Sequence, residues 1–193
     1  MLLSGLIALC ISFQASPAWV FEIDLWPGEG RPLFEAVSRQ LQLHEFPSMS
    51  SKVVRTLTVA PRHQLVFDDT RYRTIKPGRF RVLVSGALGG RNLGSISKLS
   101  RSDYYSGRFP SASVPAKAGD TIEYLQYRAE GTCFIRIAFE IIDAALCPNQ
   151  QPAQFRLDVE PITEWWIHIT MEGTPAGWLL VSNATVKVVD RRW

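Results

Sequence analysis

Three histidines, three cysteines and six tryptophans are the residues of this chain with the most to offer chemically. Nucleophilic catalysis needs a serine or cysteine beside a histidine and an orienting acid. His44, His63 and His168 stand in three separate segments, and no serine lies in a Gly-x-Ser-x-Gly setting. A hydrolase would therefore have to recruit Cys133 or Cys147, and the plainer expectation is that the chain is not an enzyme. Metal ligation asks for His or Cys pairs at fixed spacing. No H-x-x-H, C-x-x-C or H-E-x-x-H occurs, so neither a metal nor a cofactor is expected. The aromatic groups remain. Trp166 and His168 lie two residues apart and Trp178 opens the next apolar run. On adjacent strands these three would meet across a sheet as a ledge suited to peptides or sugars. The alternative is core packing, weighed for Trp165 and Trp178 above all.

Such a ledge needs strands beneath it, and the sequence supplies them. Trp165, Ile167 and Ile169 alternate with Trp166, His168 and Thr170, a period of two that marks a strand with distinct faces. Gly173, Pro175 and Gly177 follow as turn residues, and the run to Asp190 reads as a three-stranded meander. Cys133, Ile135, Ile137, Phe139 and Ile141 alternate with Phe134, Arg136 and Glu140 as one two-faced strand. Shorter strands are predicted over 20–25, 53–59, 65–67, 72–75, 80–84 and 155–159, with turns at Asp68-Asp69-Thr70 and Lys76-Pro77-Gly78. Residues 33–45 fit either a helix or strands. The Gly- and Ser-rich stretch 85–118 holds too few apolar residues for a face and reads as a long connection.

With 46% hydrophobic residues and 11% aromatic, the chain can bury an ordinary core. Its net charge of +3 is scattered, with no block of five like charges, which argues against nucleic acid. Arg71 and Arg73, Arg79 and Arg81, and Arg101 sit beside aromatic residues, where a solvated sheet face weighs more than an anionic-polymer surface.

Met1–Ala18 carries no charged side chain, and Leu2–Phe13 is an apolar run too short to span a bilayer. It predicts a signal peptide over 1–18, cleavage near Ala18, a periplasmic or secreted product and no stable membrane insertion afterwards. The two cysteines then left, Cys133 and Cys147, are an even count in an exported chain and predict one disulfide, with two buried thiols as the alternative. Asn183-Ala184-Thr185 matches an N-glycosylation acceptor, relevant only in a eukaryotic secretory host.

Two stretches resemble bacterial SH3-like (SH3b) domains. Leu41–Leu65, LQLHEFPSMSSKVVRTLTVAPRHQL, is similar to the opening of such a module: a short strand, a Pro/Ser loop, a Val-Val-x-x-Leu strand and a turn. Trp165–Val189 resembles the close, with an aromatic strand, a Gly-containing hairpin, Gly177-Trp178-Leu179 and a last short strand. The resemblance implies a mainly β chain of two small SH3-like barrels in tandem, residues 19–100 and 114–193. They would be joined by a linker at 101–113, with an inserted loop at 143–163. A single larger β-barrel or sandwich is the rival arrangement. By the same resemblance the task is binding: an exported accessory module of the cell envelope that recognises wall peptide or glycan, or else an inhibitor-like protein that covers a partner.

Overall fold

The computed structural model describes residues 20–28 and 30–189; the expected leader at 1–18 lies outside the described residues. The first strands are β1 (Phe21–Ile23), β2 (Leu33–Ala36), β3 (Gln40–His44), β4 (Val53–Thr58), β5 (Gln64–Leu65) and β6 (Phe67–Lys76). There follow β7 (Gly78–Val82), β8 (Gly86–Gly94), β9 (Lys98–Leu99), the helix α1 (Arg101–Tyr105), β10 (Ser111–Ala116), β11 (Thr121–Tyr127), β12 (Cys133–Ile137) and β13 (Glu140–Ala144). The last are β14 (Phe155–Val159), β15 (Ile162–Met171), β16 (Thr174–Leu180) and β17 (Val186–Val189). The chain is mainly β, as the alternation predicts.

The described residues form three sheets, with strand orders β4-β3-β16-β15-β6-β1-β9, β10-β8-β13-β12-β11-β7-β14 and β17-β2-β5, and none of these closes into a barrel. The pairing replaces the tandem arrangement. β15 lies against β6 from Ile162↔Lys76 to Ile169↔Phe67, β16 meets β3, and β17 meets β2. The two stretches that resemble SH3-like modules therefore surround one core, built from Phe34, Leu41, Leu43, Leu57, Leu65 and Phe67 together with Ile167, Ile169, Leu179 and Val186. We call residues 33–76 plus 162–189 the split unit. Residues 78–159, which cross the expected boundary at 101–113, form, apart from β9, a sheet of their own around Phe80, Val82, Leu88, Ile122, Ile135, Ile142 and Phe155. We call this the inserted unit.

The chain leaves and re-enters the split unit at one place. Lys76 pairs with Ile162 at the end of one sheet and Arg79 with Val159 at the start of the other. Pro77 stands between, and Gly78 passes so close that a β-carbon there would lie 2.6 Å from Pro161 N and 2.8 Å from the Glu160 carbonyl carbon. A third core joins the units: Phe21 and Ile23 of β1, which pairs with β6 of the split unit, and Leu25 pack with Leu93, Leu99, Tyr104, Leu125, Phe134 and Ile141 of the inserted unit, with Tyr72 of β6 against the cluster.

Other expectations change locally. Residues 33–45 are strands, β2 and β3. The stretch 85–118 is not a connection: it holds β8, β9, α1 and β10, with Ser100 capping α1 by accepting from the Asp103 amide at 3.0 Å. Its glycines belong to a strand because β8 runs hard against β13 at Gly90, where an added β-carbon would collide with the Asp143 carbonyl and the Ala144 backbone. The long alternation from Cys133 to Ile141 is a hairpin, turned at Ala138 and Phe139, both at positive φ. The turn inverts the parity, so Ile135 shares a face with Ile142 and Phe134 shares the other with Ile141. Both faces are covered by cores, so apolar residues continue at the odd positions and the sequence shows no break. Asp68-Asp69-Thr70 lies inside β6, not in a turn. The meander is a hairpin, β15–β16, turned at Glu172-Gly173, whose third strand crosses over to pair with β2. Cys133 and Cys147 form the expected disulfide with Cα atoms 5.2 Å apart, both fully buried in the inserted unit's core.

Candidate functional site

Alternation sends Trp165, Ile167 and Ile169 of β15 inward and Glu164, Trp166 and His168 to the opposite face. Trp165 touches Phe34 edge to face, ring centroids 5.1 Å apart, and its Nε1 donates to Thr70 Oγ1 at 2.8 Å. The outer face collects the chemistry. Trp178 of β16 stands opposite His168 on one side and His44 of β3 on the other, so three strands place a His-Trp-His row across the sheet. His168 and Trp178 have ring centroids 5.0 Å apart, and the Arg71 guanidinium of β6 lies 5.3 Å from the Trp178 ring.

Both histidines are fixed. His168 Nδ1 is 2.8 Å from Asp68 Oδ1, and His44 Nδ1 is 3.1 Å from the Ser51 carbonyl. Each partner atom only accepts, so both rings carry their hydrogen at Nδ1. Behind them sits an ionic lattice. Glu22, almost wholly buried, is held by Arg73, by Lys98 at 3.0 Å and by Arg71 at 3.8 Å. Arg71 also donates to Asp69 Oδ1 at 2.6 Å and to the Thr70 carbonyl at 2.8 Å. Asp24 Oδ1 lies 3.2 Å from Arg71 yet accepts no hydrogen bond from a described residue. Burial pushes the Asp24 carboxyl above the usual carboxylate range, with Asp69 and Glu22 adding to the rise and Arg71 and Lys98 opposing it.

The three residues singled out for a ledge have different fates. Trp166 is 0% exposed. It packs against His44 at 5.5 Å and donates from Nε1 to Glu164 Oε2 at 2.9 Å. The loop after β3 folds back over this face, where the Pro47 carbonyl accepts from Arg73 and Ser51 Oγ holds Phe46 at both its amide and its carbonyl. Trp166 is thus a wall beneath the surface and cannot stack a ligand itself. His168 and Trp178 are half-buried and do share a surface. No known protein family, characterised protein or solved structure matches the chain. The arrangement is therefore read on its own chemistry.

The Asp68–His168 pair has an acid and an oriented imidazole; the Trp166 indole donates to Glu164, its carbonyl accepts from Thr70 Oγ1 at 3.1 Å, and both described cysteines are in the disulfide. Among the described residues no three His, Cys, Asp or Glu side chains gather as metal ligands, and no helix is long and apolar enough to cross a membrane. Sequence reasoning missed His44, Asp68 and Arg71 as companions of Trp178. On the sequence alone His44 offers itself only as a base, Asp68 as a turn residue and Arg71 as part of a charged face. The signal was present in their alternation, but the strand pairing that uses it spans more than a hundred residues.

Proposed function

We propose that this protein is an exported, non-enzymatic binding module of the cell envelope that recognises wall peptide or glycan on the face centred on Trp178. The observation that carries the reading is Trp178 itself: a half-exposed indole braced by His168, Arg71 and the buried ionic lattice, and so presented without loss of side-chain freedom on binding. The single core shared by the two SH3-like stretches supports an SH3-like unit interrupted by the inserted one. The disulfide is compatible with an oxidising compartment.

A second reading, a protein partner covered through a β surface, is favoured by one feature. β4 is the edge of its sheet, with Val53 and Val54 exposed beside Phe46 at 61% and Met49 at 60%. The test is co-sedimentation with purified cell-wall sacculi. The wild-type protein is expected in the pellet, and Trp178→Ala, checked for an unchanged melting temperature, in the supernatant. Wild-type protein left in the supernatant would overturn the wall-binding reading and leave the edge strand as the interface to pursue.

A further inference from the structure

The inserted unit carries a second concavity, an open cleft of about 640 Å³ between β8, β10, β13 and α1, which is the size of a small-ligand site. Its wall is built from charge brought to one aromatic ring. The guanidinium groups of Arg91 and Arg128 lie 4.2 Å and 4.8 Å from the Tyr104 ring centre. One carboxylate serves this pair: Asp143, 6% exposed, takes Arg91 through Oδ2 at 2.6 Å and 3.1 Å and also accepts from the Tyr104 hydroxyl at 3.0 Å. Burial, with Asp143 close by, raises the Tyr104 hydroxyl well above its usual value, so it remains a donor.

Arg128 is left over. It is half-buried, its guanidinium's one hydrogen bond among the described residues is a long 3.4 Å donation to Thr132 Oγ1, and no carboxylate among the described residues pairs with it. Two positive charges against one negative leave the cleft with an excess of one. The floor is equally particular. Ser111, Ala112, Ala144 and Ala145 are small, and Gly89 presents bare peptide: a β-carbon there would meet nothing within 4 Å. Tyr105, exposed at the rim, stands edge to face with Tyr104 at 5.1 Å.

We propose that this cleft binds a carboxylate-bearing ligand, with the carboxylate on Arg128 and the attached group lying on the Gly89 floor against the tyrosines. A planar guanidinium fork matches a carboxylate through two parallel hydrogen bonds. The site is independent of the Trp178 face, so either can fail alone.

Two sources supply such a carboxylate, a peptide C-terminus and an acidic sugar, and the experiment separates them. N-acetyl-alanyl-alanine and its C-terminal amide, and glucuronic acid and glucose, are titrated into the full protein while amide shifts of the Gly89–Arg91 and Arg128–Thr132 segments are followed by NMR. At least one carboxylate is expected to bind there tenfold or more tightly than its neutral counterpart. Arg128→Gln should lose at least that tenfold, and Gly89→Leu should abolish the shifts with the melting temperature retained. Equal shifts with acid and neutral forms, no shifts from either acid, or binding unchanged in both variants would overturn the proposal.

Discussion

The split unit and the inserted unit solve the same problem, closing a small β core, by opposite means. The split unit draws its core from segments a hundred residues apart and has no covalent tie among the described residues. The inserted unit is continuous, and Cys133–Cys147 pins its core. The cost of bringing distant segments together grows slowly with loop length, about 0.6 kcal/mol per doubling. It falls further when the intervening chain is itself folded with adjacent ends, as Lys76↔Ile162 and Arg79↔Val159 are here. An insertion of this kind is tolerable because the insert closes its own loop. The third core adds a reason for the two to stand or fall together, since Phe21 and Ile23 are buried against Leu125, Phe134 and Ile141 of the insert.

The comparison can be broken with probes already in the sequence. All six tryptophans lie outside residues 78–159, whereas four of the five tyrosines, Tyr104, Tyr105, Tyr124 and Tyr127, lie inside. Indole fluorescence therefore reports nothing from within the inserted unit and, through Trp165, Trp166 and Trp178, follows the split unit, while phenol absorbance follows mainly the inserted one. The largest effects are expected from the cores. Ile167→Ala and Ile135→Ala, each at a fully buried site, should each lower unfolding stability by about 2–5 kcal/mol. Both probes should move together in urea titrations of either variant; a transition seen by one probe alone would mean that the third core does not couple the units.

Next in size is the disulfide. Cys133→Ala with Cys147→Ala opens a 14-residue separation and should cost about 3 kcal/mol. The loss should register in tryptophan fluorescence as well as in tyrosine absorbance. A tryptophan midpoint unchanged by the double substitution would separate the units.

A smaller and more local contrast lies between neighbouring glycines. Gly90→Ala places a β-carbon against the Asp143 carbonyl and should cost about 1–3 kcal/mol. Gly89→Ala faces open space and should change stability by less than about 0.5 kcal/mol. Equal losses at the two positions would mean that β8 does not approach β13 as described.

The smallest contrast is in titration, and the two units differ in sign. The Asp24 carboxyl, raised by burial, binds its proton more tightly folded than unfolded. Its contribution to stability therefore falls as pH rises from the ordinary value of 3.8 through the raised midpoint. Asp158, half-buried, is lowered chiefly by its hydrogen bond from Arg156, with Arg81 assisting. Its contribution is present above 3.8 and lost as pH falls through the lowered midpoint. Carboxyl-carbon NMR titration should place the two midpoints on opposite sides of 3.8; midpoints on one side would contradict the burial assigned to Asp24.

Local pattern was legible and long-range pairing was not. Alternation in 164–171 identified β15 and its two faces, and the cysteine count led to the disulfide. The same alternation hides the hairpin at Ala138-Phe139: the turn inverts which positions face each side, but both sides are covered by cores, so apolar residues continue at the odd positions. Glycines at 86–94 looked like a linker although they serve a close strand contact and a bare cleft floor. Nothing local in residues 41–65 and 165–189 shows that the two stretches share one core. Only the pairing of β6 with β15 and of β16 with β3 brings them together. The ledge suffered in the same way: Trp166 is on the face where alternation put it, but the loop after β3 covers that face.

The claim that residues 33–76 and 162–189 form one unit is tested most directly by interstrand NOEs in the native protein. Contacts are expected between Thr70 and Ile167 and between Phe34 and Val188, as the registers of β6–β15 and β2–β17 require. Long-range contacts confined to residues 19–100 on one side and 114–193 on the other would contradict it.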